Sequence, residues 1–209
     1  DDEGVRKVEK LRDLDREIQH ELLIASAYFV PTTELLDSLT AMSARGVRVR
    51  VLTNSLASTN HTMVNSGYSP WRRTLLEAGI ELYEYRAHPE GADGVLAKGI
   101  RGGSVTLHTK AFVIDRELVY VGSLNMDPRS LHINTEMGVL VDDQYLAQTI
   151  AGKLEQDMAP ENAWRVSLTP DDRLQWESAA GTRRLQPARH FGQRIADFLF
   201  GLLPIKDQL

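Results

Sequence analysis

The chain of 209 residues contains no cysteine. That removes disulfide staples, zinc–thiolate sites, iron–sulfur clusters and cysteine nucleophiles together. It leaves the redox compartment open, because a chain without thiols tolerates either state. Apolar runs approaching the roughly 18 residues of a membrane span are missing too; the longest, Phe198 to Ile205, is far shorter. The chain opens Asp1-Asp2-Glu3, without a methionine or a leader pattern, so a processed or truncated chain is expected. An excess of basic charge is absent: 24 Lys+Arg stand against 29 Asp+Glu, a net charge of −5. That balance argues against a non-specific nucleic-acid binder, which needs a basic footprint. What is present is 42% hydrophobic and 25% charged residues. These proportions give a globular chain with a core and exclude disorder over most of its length. The length suits one domain with a small appendage.

Val5, Val8, Leu11, Leu14, Ile18 and Leu22 recur at helical steps, so residues 4–20 read as an amphipathic helix. Residues 21–26 read as a buried strand stopped by Pro31. Thr32 or Thr33 can cap a helix that ends at Gly46. Val47 to Leu52 alternates as a strand, a polar loop follows over 53–58, a helix lies near 71–78, and 80–85 is the next strand. This βαβαβ order predicts an α/β fold with a mixed, mainly parallel sheet flanked by helices. Residues 87–104 carry five glycines and no apolar period, and read either as a functional loop or as a tolerated insertion. Strand-like runs return at 105–114, 118–123 and 136–141, followed by a helix over 144–158. A hairpin is expected around 164–168 and 174–176, and an amphipathic helix over 189–203.

The chemistry concentrates in Leu107-His108-Thr109-Lys110-Ala111-Phe112-Val113-Ile114-Asp115 and Val121-Gly122-Ser123-Leu124-Asn125. Side chains two apart on a strand share a face, so His108 goes with Lys110, and Ser123 with Asn125. A hairpin with Arg116-Glu117 as its two-residue loop sets His108 opposite Asn125 and Lys110 opposite Ser123. Opposed pairs lie about 5 Å apart at Cβ, close enough to surround one small anion. Lysine supplies charge, serine and asparagine supply neutral donors, and histidine attacks or exchanges protons near neutral pH. These are the requirements of phosphodiester chemistry. Asp115 points to the other face and reads as a structural residue that closes the turn.

His108-x-Lys110-x4-Asp115-x6-Gly122-Ser123-x-Asn125 resembles the HKD motif of the phospholipase D superfamily at every fixed position and spacing. Asn134-Thr135-Glu136 resembles the segment after the motif, where the family's glutamate holds the catalytic histidine by its second ring nitrogen. Ser26-x-Tyr28-Phe29-Val30-Pro31, Thr53-Asn54-Ser55-Leu56, the run Ser123 to Ser130 and the ending Leu203-Pro204-Ile205 look like bacterial cardiolipin synthases, most of all the third type. The resemblance covers most of residues 20–205 and is specific from 105 to 141. It implies a phospholipase D-like α/β/α sandwich, catalytic roles for His108, Lys110 and Glu136, substrate contacts from Ser123 and Asn125, and structural roles for Asp115 and Gly122. It implies neither metal nor cofactor, because lysines and asparagines neutralise the phosphate.

The family joins two such motifs in one site. One histidine attacks phosphorus and the other serves the leaving and entering alcohols. This chain has a single His-x-Lys. Its second motif is therefore expected from an N-terminal half of a larger enzyme or from a homodimer partner. As the C-terminal half, it would place His108 in the acid/base role. Residues 1–160 form the expected catalytic half-domain and 161–209 an extension with the hairpin and last helix. Phosphatidyl transfer between phospholipids is the first reading. Phospholipase D hydrolysis, a dimeric phosphodiesterase or nuclease, and an inactive scaffold stand behind it, and no nucleic-acid partner is expected. The implied location is the bacterial inner membrane, peripheral, on its cytoplasmic face. Ile195, Phe198, Leu199, Leu202 and Leu203 share one helical face behind Arg183, Arg184, Arg189 and Arg194. They read either as an interfacial helix or as one packed on the domain. Tyr28 reads as pocket wall or core, Asn54 as a turn residue, and Arg129 and His132 as headgroup contacts or solvated residues.

Overall fold

The structure is a computed structural model that describes residues 17–89 and 104–203. Of the helix expected over 4–20, residues 4–16 lie outside the described residues and residues 17–20 are not helical; most of the glycine-rich segment 87–104 lies outside as well. The chain runs β1 (Glu21–Ser26), α1 (Thr33–Ala44), β2 (Arg48–Asn54), α2 (Thr62–Tyr68), α3 (Arg72–Glu77), β3 (Glu81–Tyr85), β4 (Lys110–Ile114), β5 (Leu118–Gly122), α4 (Pro128–His132), β6 (Gly138–Asp142), α5 (Gln144–Met158), β7 (Ala163–Leu168), β8 (Leu174–Ser178), β9 (Gly181–Arg183) and α6 (Phe191–Gly201). The capping residues explain several boundaries. Thr32 accepts from the Leu35 N–H, Asp127 from Ser130 and Asp143 from Leu146. Gly46 leaves α1 with φ +90°, a conformation that costs other residues.

The nine strands among the described residues form one sheet in the order β6-β5-β4-β1-β2-β3-β7-β8-β9. The expected α/β class, with a mixed sheet flanked by helices, is what the chain adopts. Its expected mainly parallel character is corrected: only β1–β2 and β2–β3 pair in parallel, and the other six pairings are antiparallel. Crossover helices force parallel pairing only inside the βαβαβ core. The hairpin-linked strands then add to both of its edges. The expected C-terminal hairpin is β7–β8, and it continues this sheet through β3.

Strand alternation divides the core. Ile24, Val49, Val51 and Leu82 pack with Leu39 and Met42 of α1 and Leu75 of α3. Leu23, Ala25, Leu52 and Val113 face Ala147, Ala151 and Leu154 of α5. Ion pairs close the sheet's lower rim. Arg50 bonds Glu21 (2.5 Å) and Glu155 (2.8 Å), and Arg116 bonds the same two carboxylates (2.9 and 2.5 Å). On the other side Arg72 meets the fully buried Glu84 at 2.6 Å, and Trp176 Nε1 donates to the same carboxylate at 2.9 Å. Removing one member of such a pair strands a buried charge.

Asp157 breaks this pattern of satisfied charge. It lies on the buried side of α5, and neither carboxylate oxygen has a hydrogen-bond partner. Burial pushes its pKa up to about 6, with Lys153 pulling the other way. The folded state therefore holds this proton more tightly than the unfolded chain does. Stability falls as pH rises between the ordinary carboxyl value near 4 and about 6, and the cost persists above that window. Asp157→Asn is expected to stabilise the fold by about 1–3 kcal/mol near pH 7.5, with the gain gone near pH 4. Urea unfolding of both proteins at the two pH values checks this; an equal difference at both would show that the carboxyl does not titrate in the interior.

Candidate active site

The site begins with a side chain from another strand. Asn54 ends β2 and is buried. Its Nδ2 donates to the carbonyls of Ala27 and Leu107, and its Oδ1 accepts from the Leu107 N–H and Ser58 Oγ, each at 2.9 Å. Thr106 Oγ1 donates to the Ser58 carbonyl (2.7 Å), and Ala27 N–H to the Thr109 carbonyl (3.1 Å). The backbone on both sides of His108 is thereby fixed against the carboxyl ends of β1 and β2, the edge where α/β sheets bind ligands.

His108 and Lys110 do share a face. Lys110 Nζ lies 3.2 Å from His108 Nε2 and 3.0 Å from the His108 carbonyl. A protonated lysine has only donors, so Nε2 carries the lone pair and the ring proton sits on Nδ1. The positive charge of Lys110, and then burial, lower the His108 pKa below the ordinary imidazole value. Burial lowers the Lys110 pKa, opposed by the carboxylates of Glu136 and Asp127. The pair thus holds a neutral imidazole beside an ammonium.

The expected hairpin register is corrected by one residue. Ala111 pairs with Val121 and Ile114 with Leu118, leaving Asp115-Arg116-Glu117 as a three-residue loop. Asp115 and Arg116 take φ +50° and +57°, which admits the extra residue. The shift sets Gly122, not Ser123, across from Lys110. Phe112 and Tyr120 then stack on that face at 5.1 Å. A Cβ on Gly122 would stand 2.5 Å from the Met137 carbonyl and 2.7 Å from Gly138 Cα, with the Tyr120 hydroxyl closer still. Only glycine fits there. Ser123 Oγ is bonded to the Glu136 carboxylate and accepts from the Met137 N–H at 3.0 Å. Glu136 also accepts from Asn134 Nδ2 at 3.3 Å, so its hydrogen bonds go to Ser123 and Asn134. Asn125 is buried, and its Oδ1 has no partner. Its segment is held by Ser26, whose hydroxyl accepts from the Met126 N–H (3.0 Å) and donates to the Tyr28 carbonyl (2.6 Å). The chain thus joins His108 with Lys110, and Ser123 with Glu136; the field of Glu136 reaches Lys110.

Asp115 has the structural part expected of it, but with distant partners. Its carboxylate accepts from the backbone N–H groups of Gln19, His20 and Glu21 at 2.9, 2.8 and 2.7 Å. Burial works to raise its pKa, and the three N–H bonds outweigh that and hold it below the usual carboxylate value. Sequence reasoning missed Asn54, Ser26 and Asp127 as site builders. Asp127 caps α4, is itself buried, and acts electrostatically on both Lys110 and Tyr28.

Residues 14–158 match the family model described as "Cardiolipin synthase, PLD-like domain". Among curated proteins, cardiolipin synthase C of Escherichia coli K12 is 37% identical over 188 residues, covering 88% of this chain and 40% of that protein. The minor cardiolipin synthase ClsB of Bacillus subtilis is 26% identical over 87% of this chain and 38% of its own length. The chain therefore spans about 40% of the length of the synthase C it matches. Among solved structures, NucT from Helicobacter pylori shares the fold with a TM-score of 0.58 at 16% identity, over 77% of this chain and 91% of that one. The phospholipase D family member Nuc from Salmonella typhimurium gives 0.53 at 16% identity, over 72% and 84%.

Two outcomes follow from the geometry. Lys110→Gln removes the charge beside Nε2, so the His108 pKa is expected to rise toward about 6.5; an NMR titration of the ring that shows no rise would disconnect the two groups. Asp115→Ala is expected to cost about 2–4 kcal/mol in urea unfolding, because three N–H donors lose a charged acceptor. That stabilisation is present above the ordinary carboxyl pKa and is lost as pH falls through the depressed folded value. The gap between variant and parent should therefore close in acid.

Proposed function

The chain belongs to the phospholipase D-like family of cardiolipin synthase domains, and on that premise we propose that it supplies one of the two histidine–lysine motifs of a phosphatidyl-transfer site. The observation that carries this reading is the 3.2 Å approach of Lys110 Nζ to a His108 ring held neutral, at the carboxyl edge of the parallel strands. A phosphodiester placed there meets a fixed positive charge and an imidazole lone pair. In the transfer, one histidine attacks phosphorus and displaces the donor's alcohol, giving a phosphohistidine. The second protonates that alcohol and then takes the proton of the acceptor's primary hydroxyl as it attacks. His108 as the C-terminal motif takes the acid/base part. Lys110 and Asn125 bind the non-bridging oxygens, Ser123 lines the substrate side, and Glu136 orients the assembled site through Ser123. Asp115 and Gly122 hold the scaffold.

The second motif comes from a partner half, either preceding in the same polypeptide or in a second copy. Support comes from the uncovered edge strand β6 and its surroundings, where Val121, Ile133, Met137, Val139 and Tyr145 are all exposed. An open apolar edge of this kind calls for a partner. The catalytic half-domain is 1–160, and 161–209 adds the lipid-facing extension. No helix among the described residues is long and apolar enough to cross a membrane. Attachment is proposed to be peripheral, on the cytoplasmic face of the bacterial inner membrane.

The decisive assay uses the assembled two-motif protein and labelled phosphatidylglycerol. Transfer to a second lipid yields cardiolipin and glycerol, whereas hydrolysis yields phosphatidic acid and glycerol. His108→Ala is expected to lower product formation about a thousandfold or more while the thermal melt stays unchanged. Near-parental turnover would remove His108 from the chemistry, and phosphatidic acid as the sole product would move the activity to hydrolysis.

A further inference from the structure

We infer that the outward face of α6 is the surface by which this chain lies on an anionic bilayer. The helix is turned inside out. Its two buried residues are polar. Gln193, 7% exposed, donates to the Leu56 carbonyl at 2.6 Å. Asp197, 5% exposed, accepts from Gln186 Nε2 at 2.7 Å, and Gln186 accepts in turn from the buried Arg72 at 3.0 Å. The outward side is the reverse. Every exposed residue from 191 to 203 is Phe, Ile, Leu or Gly. Phe191 is 72% exposed, Phe198 and Leu202 are each 66%, and Ile195, Leu199 and Leu203 complete the face. Leu185, on the segment that Gln186 ties to the helix, is exposed beside them. A helix against water keeps its apolar stripe inward and its polar side out. An apolar phase beyond α6 accounts for the inversion.

Charge decides which apolar phase. Residues 179–203 contain Arg183, Arg184, Arg189 and Arg194, and Asp197 as their one acidic residue, in a chain whose net charge is −5. That one carboxylate is buried under the helix, so the outward face carries no negative charge. Arg194 Nε donates to the Gln186 carbonyl at 3.0 Å, which keeps the segment bearing Arg183 and Arg184 alongside the helix. Basic side chains bordering an apolar helical face match a bilayer with anionic headgroups: arginines meet phosphates, and phenylalanines and leucines enter the acyl layer. The strand edge that calls for a protein partner is β6, four places from β2 in the sheet. The face of α6 is separate from it. Its anchorage also places it relative to the chemistry. Arg189 Nε and Nη2 donate to the carbonyls of Ala57 and Thr59, both at 2.7 Å, and Gln193 holds the carbonyl of Leu56. These carbonyls follow β2 directly, at the end of the sheet where Asn54 fixes the backbone beside His108. Lipid contact through α6 is therefore made from the end of the sheet that carries the candidate active site.

This inference deepens the proposed function and rests on it only in taking a phospholipid bilayer as the surface; binding needs no turnover and no second motif. The full chain is tested by flotation with phosphatidylglycerol or phosphatidylcholine vesicles, and its mass in solution is measured by ultracentrifugation. Phosphatidylglycerol vesicles are expected to bind at least about tenfold more tightly than phosphatidylcholine ones. Phe198→Ser with Leu202→Ser, both at exposed positions, is expected to weaken phosphatidylglycerol binding about tenfold or more with an unchanged thermal melt. Arg184→Glu, also exposed, should weaken it about fivefold. Because the chain has no thiol of its own, Phe198→Cys accepts a single environment-sensitive fluorophore. Its emission is expected to shift to the blue on phosphatidylglycerol vesicles. His108→Ala should float as the parent does, so that a failure of the transfer reading leaves this result standing. Vesicle binding unchanged by the paired serine substitutions, or a fluorophore at 198 that does not respond, overturns the proposal. A dimer that dissociates on the same substitutions gives the apolar face to a second copy, which also overturns it.

Discussion

Everything at the site depends on the carboxamide of Asn54. An amide side chain is the smallest group that donates and accepts in two directions, and here all of that capacity is used. It clasps the backbone of residue 107 through both N–H and C=O, reaches the end of β1 at Ala27 and accepts from Ser58. Leucine there would take the side-chain partner from three buried backbone groups, the Ala27 and Leu107 carbonyls and the Leu107 N–H, and aspartate would bring a buried charge and lose two donors. The histidine that follows is thus placed by a residue more than fifty positions earlier. The two parallel strands set that residue's height, while His108 itself lies before β4 begins at Lys110.

The rest of the motif divides by physical task. Asp115 works about as far from the histidine as β4 is long, tying the start of β1 by three N–H bonds beside the Arg50, Arg116, Glu21 and Glu155 network. Gly122 exists because the Tyr120 hydroxyl and the β6 backbone occupy the space of a side chain. Ser123 then uses its hydroxyl to join the turn of the strand to Glu136 and Met137. Motif residues separated by fixed spacings are therefore not all near His108 and Lys110. Some define where the strands begin, and the strands define where the atoms are.

This division also explains how far the sequence could be read. Composition, alternation and the cap of α1 placed β1, β2, β3, α1 and α5, because those signals are local. The hairpin register escaped by one residue because the extra loop position rests on positive φ at both Asp115 and Arg116; aspartate tolerates that conformation, but arginine does not signal it. Helix α2 gave no signal: Thr62 to Tyr68 contains a glycine and no apolar stripe, and it is held by packing against α6, which no local pattern records. Asn54 looked like a turn residue because its partners lie far along the chain. The last helix was legible as amphipathic, but its orientation was not. Only the buried Gln193 and Asp197 show that its polar side faces inward.

Electrostatics link the two halves of the proposed reaction. Lys110 disfavours a second positive charge on His108, which favours the neutral ring. A phosphodiester drawn in by Lys110 cancels that field at close range. The cost of protonating the ring then falls as substrate binds. The same imidazole can thus be an acid when a leaving alcohol needs a proton and a base when the acceptor must lose one, with no change of partner. Burial of Lys110 sharpens the switch, because a desolvated ammonium has a stronger hold on both the ring and the anion than a hydrated one. The carboxylates of Glu136 and Asp127 act against the lowering of the Lys110 pKa, so acidic neighbours favour the very cation that the proposed cycle uses.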